Sequence, residues 1–156
     1  MWAHFCVVFA IAAVSLGQDC TAPPPIQDEC CVGMPEYVTN AMIEECDNNE
    51  DQSPCDVATC FMKKSNFVGA DGKIDKAVIK SYVQNTMSAE WAGIIEGSLD
   101  QCFAESATAK CESQTFLPCI TFAMMKNCPA ASWRQTEDCA SLKTFVEKCP
   151  VPYGSF

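Results

Sequence analysis

Twelve cysteines beyond residue 17 constrain the fold of this chain more than any other feature of its sequence. The chain has 156 residues and thirteen cysteines, of which only Cys6 lies in the first seventeen residues. An even number of cysteines in a small extracellular chain is typical of a disulfide framework. Spacing alone leaves the connectivity open. The cysteines of the predicted framework are Cys20, Cys30, Cys31, Cys46, Cys55, Cys60, Cys102, Cys111, Cys119, Cys128, Cys139 and Cys149.

Six bridges would change what a domain of this size can tolerate. Each bridge contributes about 2–4 kcal/mol, mainly by restricting the unfolded chain. An internal cavity is otherwise costly, because its empty volume forfeits packing contacts. Such a framework therefore makes a partly hollow small domain energetically acceptable.

The first seventeen residues, "MWAHFCVVFAIAAVSLG", form an apolar run that ends in small residues. This pattern predicts a secretory signal peptide over residues 1–17, cut after Gly17, and a single mature domain over residues 18–156. The apolar run is too short for a helix that crosses the full hydrocarbon core of a bilayer, and no later segment has such a run. We therefore expect a secreted, extracellular protein without stable membrane insertion. Loss of the leader also removes His4, the one histidine of the sequence.

Charge and the missing histidine exclude several functions. The chain carries 20 acidic and 10 basic residues, a net charge of −10 without a basic stripe, so we expect no nucleic-acid partner. Without histidine, Ser-His-Asp and Cys-His catalysis are unavailable. The adjacent Cys30 and Cys31 are similar to those of secreted phospholipases, but those lipid hydrolases need a nearby histidine. We therefore expect no enzyme and no catalytic residues.

A metal or other cofactor is not expected either. No CxxC pair occurs, and the cysteine spacing is too wide and irregular for a typical structural zinc site. The segment "DGKID", residues 71–75, lacks the ligand spacing of a calcium loop, which requires a glutamate at position twelve. It predicts a turn followed by a helix cap.

Apolar residues recur at three- and four-residue spacing along most of the chain, which predicts an all-α fold of six to seven short helices. The first helix begins at Pro35, and Ser88 caps the fourth. The third places Ile74, Ala77, Val78 and Tyr82 on one apolar face, with Val83 beside them. The predicted ranges are 35–46, 55–64, 74–87, 89–105, 115–128 and 136–148.

The helical stripes are rich in aromatic residues and methionine, which suit both an ordinary core and an adaptable ligand pocket. Periodicity cannot distinguish a filled core from a hollow one, so both interpretations stay open.

The spacing Cys55-x4-Cys60, followed after 41 residues by Cys102 and then by Cys119-x8-Cys128, resembles that of the insect odorant-binding proteins. The segment "CDVATCFMKKSNFVGADGKIDKAVIKSYV" is similar to that family's stretch from the close cysteine pair into the next helix. Two departures exist: the close pair is separated by four residues instead of three, and an extra cysteine lies between Cys102 and Cys119.

The region after Cys128 is similar to the Plus-C subgroup of that family, since Pro129 follows Cys128 and two further cysteines come later, Cys139 and Cys149. The extra cysteines at position 20, at position 30 or 31 and at position 111 are similar to those of this subgroup too.

The resemblance implies a disulfide pattern. Its two favoured pairs are Cys55 with Cys119 and Cys102 with Cys128. Cys60 would take an upstream partner, which is Cys46, Cys31 or Cys30, and the remaining cysteines would hold the two terminal arms.

The resemblance also implies a function: a secreted carrier of small hydrophobic molecules, such as odorants or pheromones, held in an internal apolar cavity of a compact bundle with up to six disulfides. The Tyr82 hydroxyl would meet a polar end of the ligand. A homodimer and contact with a membrane receptor are compatible with this role. The predicted ligand-binding residues are Tyr82, Met87, Trp91, Ile94, Ile95, Phe116, Ile120 and Met124.

The alternative is a secreted protein-interaction or inhibitor domain without a ligand cavity. It predicts a filled core and an exposed apolar patch, whereas the carrier predicts a hollow core.

Overall fold

The computed structural model describes residues 20, 28–47, 51–69 and 71–151, and within them it is an all-α structure, as predicted. The predicted signal peptide lies outside the described residues. A short 3-10 helix, Asp28–Cys30, comes before six α-helices. These are α1 Asn40–Cys46, α2 Pro54–Lys64, α3 Lys76–Thr86, α4 Ala89–Ser106, α5 Glu112–Lys126 and α6 Glu137–Lys148.

Side-chain caps set most of the helix starts. At α2 the Ser53 hydroxyl accepts the Asp56 amide hydrogen and the Asp56 carboxylate accepts the Ser53 amide hydrogen, which is a capping box. Ser88 caps α4 as predicted. Asp75 caps α3 by accepting from two backbone N–H groups, so the "DGKID" segment is a turn and a cap. The start of α1 was predicted wrongly at Pro35, because Thr39 provides the cap and the helix begins after it.

The hairpin of α4 and α5 forms the centre of the molecule. A five-residue connection, residues 107–111, joins the two helices, which is typical of antiparallel neighbours. Helices α2 and α6 also pack on α5, while α3 packs on α4 and α1 on α2. Helix α5 is buried on most of its circumference, as a central helix must be, and its buried apolar residues are Phe116, Pro118, Cys119, Ile120, Phe122, Met124 and Met125.

Six disulfide bonds join all twelve predicted cysteines. They are Cys20–Cys149, Cys30–Cys139, Cys31–Cys128, Cys46–Cys60, Cys55–Cys111 and Cys102–Cys119.

Both favoured pairs of the implied pattern are wrong. Cys111, which comes immediately before α5, lies beside the first turn of α2 and takes Cys55 as its partner. Cys119 instead bonds to Cys102 across the α4–α5 hairpin, where the two helices face each other.

That arrangement leaves Cys128, just after α5, free to bond to Cys31, whose backbone forms a β-bridge with Trp133 nearby. The partner of Cys60 is Cys46, one of the three upstream candidates.

Candidate functional site

A small apolar cavity lies between α2, α3, α4 and α5. Its volume is about 30 Å³, and its accessible wall is entirely apolar. A space of this size holds about one water molecule. Its lining residues are Tyr37, Met62, Phe67, Ile79, Tyr82, Val83, Met87, Ile95, Phe116, Leu117 and Ile120.

Five of the eight residues predicted to bind ligand are brought together at this cavity. Their side chains come from three helices and from the residue that follows α3, and the set is Tyr82, Met87, Ile95, Phe116 and Ile120.

The structure does not bring the other three predicted residues to the cavity wall. Trp91 is buried one helical turn before Ile95, and Met124 is fully buried one turn after Ile120. Ile94 is only half-buried, because it lies about 100° around α4 from Ile95. Helical periodicity therefore identified the inward faces of α4 and α5 but not the level at which the cavity lies along them.

The predicted apolar face of α3 was wrong in part. Ala77 and Val78 are exposed, whereas Ile79 and Val83 are buried and line the cavity with Tyr82. The pattern 79, 82, 83 has the same three- and four-residue spacing as the predicted face, so only tertiary contacts separate the two faces.

The remaining residues that the sequence did not single out lie on the segments around the cavity. Met62 sits on α2 and Leu117 on α5, each beside a more obvious apolar neighbour, while Tyr37 and Phe67 lie outside the α-helices. Phe67 lies in an irregular segment that carries no periodic signal, whereas Tyr37 lies within the predicted first helix, 35–46, but before the observed start of α1.

Tyr37 closes the cavity from the side of α5. Its hydroxyl donates to the Leu117 carbonyl at 3.3 Å and also hydrogen-bonds with the Thr121 hydroxyl. Thr121 Oγ1 itself donates to the same carbonyl at 3.0 Å. Because its polar end is satisfied by α5, this phenol contributes an apolar wall to the cavity.

Phe67 and Tyr82 close the opposite side. Their ring centroids are 5.0 Å apart and the rings meet edge to face at 70°. Phe67 is buried, whereas Tyr82 is 36% exposed and reaches the surface.

The larger surface depressions are less suited to an apolar ligand on their own. One of about 430 Å³ lies beside α4, α5 and residues 149–151, and its lining includes the charged Glu105 and Lys126. Another, of about 590 Å³, lies on the outer side of α3 and is more open to solvent. The uncharged, apolar cavity is therefore the candidate site.

Charge lies away from this cavity. Lys76 on α3 forms an exposed ion pair with Asp100 on α4. The hydrogen bond from Lys76, and then its positive charge, hold the pKa of Asp100 below its usual value. This exposed pair links the outer edge of α3 to α4 and lies away from the apolar wall.

The described residues were also compared with the requirements of a metal site and of a membrane-spanning helix. Over the ranges that the structure describes, no group of three or more His, Cys, Asp or Glu side chains could hold a metal ion. Within the same ranges, none of the helices has both the length and the hydropathy needed to span a membrane.

Comparison with known proteins gives three relatives from Anopheles gambiae, and no family model matches the chain. General odorant-binding protein 68 is 27% identical, over 79% of this chain and 69% of that protein. Odorant-binding protein 47 is 28% identical, over 92% of this chain and 78% of that protein. General odorant-binding protein 67 is 22% identical, over 78% of this chain and 72% of that protein.

Proposed function

Because the chain belongs to the insect odorant-binding protein family, we propose that it is a secreted carrier of small hydrophobic molecules and not an enzyme. The apolar cavity between α2, α3, α4 and α5 is the observation that carries this proposal. Secretion is part of the proposal, supported by the signal-peptide pattern of residues 1–17 and by six disulfides, which persist in oxidising compartments.

The cavity must expand to accept a ligand. Drug-sized ligands occupy pockets of about 300–1,000 Å³, whereas this cavity measures about 30 Å³. Met62 and Met87 line it, and the flexible thioether side chains can repack around a guest. A ligand would therefore bind with repacking of these side chains.

The affinity expected from burial is modest. A ligand that buries ~300 Å² of apolar surface gains roughly 7 kcal/mol, and lost translational freedom together with the work of expanding the cavity subtract from this. Micromolar affinity corresponds to about −8 kcal/mol. Binding in the micromolar range or weaker suits a carrier that must also release its cargo.

Membership of the Plus-C subgroup is a finer part of the proposal. It is supported by Pro129 directly after Cys128 and by the two later cysteines, Cys139 and Cys149, which bond to the segment before α1 and to Cys20. A homodimer and a membrane receptor remain proposed partners, and sedimentation velocity of the oxidised protein tests the first of them.

One observation favours the alternative function of a protein-interaction or inhibitor domain. The cavity is small, and four large apolar side chains are exposed: Val32, Ile43, Val78 and Tyr82. A chain that binds protein partners through these residues would need no internal ligand.

Titration with the fluorescent apolar probe N-phenyl-1-naphthylamine separates the two functions. We expect the oxidised protein to bind the probe saturably with a 1:1 stoichiometry, and the reduced, unfolded chain to lose this binding. Failure of the oxidised protein to bind the probe saturably would exclude the carrier function and leave the interaction domain.

A further inference from the structure

A surface groove on the outer side of α3 shares two residues with the inner cavity. The groove has a volume of about 590 Å³ and begins where α2 ends. Phe67 and Tyr82 line both spaces, so the edge-to-face ring pair alone forms the common wall. The residues of this outer groove are Ser65, Asn66, Phe67, Ala77, Val78, Ser81 and Tyr82.

The sizes of the two spaces indicate that a ligand would occupy both. The cavity of about 30 Å³ is an order of magnitude below the usual range of ligand sites, whereas the outer groove falls within that range. The groove alone is open to water and would leave most of a ligand exposed. A ligand that extends from the groove into the cavity gains both volume and burial.

Of the two rings that form the common wall, the ring of Tyr82 is the one with freedom to rotate. The backbone of Phe67 is fixed on both sides, because its N–H donates to the Met62 carbonyl at 2.9 Å and its carbonyl accepts from the Asp75 N–H at 2.8 Å. Tyr82 lies on the surface of α3, and its hydroxyl forms no hydrogen bond with the part of the chain that the structure describes. Rotation of its ring toward solvent breaks one aromatic contact and opens the cavity to the groove.

The chemistry of the outer groove defines the head group that it accepts. Its floor is apolar, with Val78 39% exposed, and its rim carries the hydroxyl of Ser65 and the amide of Asn66. Ser81 lies on the same rim, where its Oγ accepts from Asn85 at 3.2 Å and keeps its own proton for another acceptor. None of the groove residues is charged, and the chain carries a net charge of −10. These features favour a neutral hydrogen-bonding group over a carboxylate.

We propose that the outer groove and the inner cavity form one elongated site, separated by Tyr82, for a neutral amphiphile. The apolar chain of the ligand lies in the cavity, and its alcohol, ester or amide head group lies in the groove. This inference rests on the proposed carrier function and specifies the ligand class and the route of entry.

Displacement of N-phenyl-1-naphthylamine by decan-1-ol tests the outer half of the site, with Val78→Asp as the test variant. The matched control is Ile43→Asp, since Ile43 is a similarly exposed apolar residue on α1 that lines none of these spaces. We expect Val78→Asp to weaken decan-1-ol binding at least tenfold and Ile43→Asp to change it less than twofold. Equal effects of the two variants would overturn the outer half of the site.

The head-group preference is measured in the same assay with decanoate at pH 7. We expect decan-1-ol to bind the wild-type protein at least tenfold more tightly than decanoate. Tighter binding of decanoate would overturn the assignment of a neutral head group.

Stopped-flow mixing with the probe tests the movable wall. Tyr82→Ala removes the ring and should raise the association rate constant at least fivefold, whereas Tyr82→Phe keeps the ring and should leave it unchanged. An unchanged rate for Tyr82→Ala would overturn the role of Tyr82 as a gate. Absence of any saturable probe binding to the wild-type protein would instead overturn the carrier function itself.

Discussion

Two phenols with similar surroundings have different roles at the cavity. The hydroxyl of Tyr37 is held by the Leu117 carbonyl and the Thr121 hydroxyl of α5, which fixes that wall. Tyr82 packs edge to face against Phe67, and its hydroxyl has no hydrogen bond within the described part of the chain. Both tyrosines fall within predicted helices, 35–46 and 74–87, although Tyr37 lies before α1 begins. Only the tertiary structure shows which of the two is fixed.

Filling the cavity with one methylene group should block the ligand without harming the fold. Val83 is buried and lines the cavity, so Val83→Leu places the added group in space that is empty. We expect probe affinity to fall at least tenfold while the free energy of unfolding stays the same or rises, as measured by probe titration and urea denaturation.

The matched control for this variant is Val146→Leu on α6, where the valine is equally buried but lines no part of the cavity. There the added group overpacks the core, so we expect a loss of about 1–3 kcal/mol in stability with no change in probe affinity. Wild-type affinity in Val83→Leu would show that the probe binds elsewhere.

At the scale of helices, the sequence predicted each of the six α-helices in the described residues and the starts of α4 and α6, but it placed the start of α1 too early. Ser88 and Thr136 begin α4 and α6 at or near the predicted positions, because a hydroxyl followed by an apolar periodic segment is a local signal. The disulfide pairing could not be read in this way. It depends on which helices become neighbours, and Cys111 changed the partners of Cys55 and Cys119.

Two short-range disulfides should have equal effects on stability and different effects on binding. Cys46–Cys60 and Cys102–Cys119 span 14 and 17 residues, so removal of either pair by alanine should cost about 3 kcal/mol. The first joins α1 to α2, and α1 does not line the cavity, whereas the second joins α4 to α5, which form much of its wall.

We therefore expect Cys46→Ala with Cys60→Ala to retain probe affinity, and Cys102→Ala with Cys119→Ala to weaken it severalfold. Guanidinium unfolding and probe titration measure the two quantities. Equal probe affinities in the two double variants would argue against a site that depends on the α4–α5 hairpin.

At the scale of the whole molecule, six covalent links surround a core that is almost filled. The prediction of an all-α bundle followed from periodicity and cysteine count, which are properties of the sequence. The cavity volume did not, because a difference of a few side-chain rotamers separates a filled core from an open one. The five predicted residues that meet at the cavity were identified because their segments face inward there. Trp91 and Met124 occupy the inward faces of α4 and α5 at other levels, whereas Ile94 lies beside the inward face of α4.

The molecule should not respond to pH in the physiological range. His4 is its one histidine and lies within the predicted leader, so no histidine would titrate in the mature protein. The hydrogen bond and positive charge of Lys76 hold the pKa of Asp100 below its usual value. Because a lowered carboxyl pKa stabilises the folded state above the unfolded pKa, this contribution is lost only as pH falls below about 4.

We therefore expect probe affinity and the free energy of unfolding to stay constant between pH 7 and 6, and stability to decline only under stronger acid. Asp100→Asn removes the ion pair with Lys76, so it should slightly lower the free energy of unfolding at pH 7, slightly reduce the acid-induced decline and leave probe affinity unchanged. A sharp transition in affinity with a midpoint near pH 6.5 would contradict this prediction.

The location of the bound probe decides whether the cavity between α2, α3, α4 and α5 is the ligand site. Intermolecular nuclear Overhauser effects between N-phenyl-1-naphthylamine and the protein methyl groups report which side chains the probe touches. We expect contacts between the probe and the methyl groups of Ile79, Ile95 and Ile120, which line the cavity on α3, α4 and α5. Contacts confined to Leu142 and Val146 on α6, or to exposed residues such as Val32 and Ile43, would contradict it.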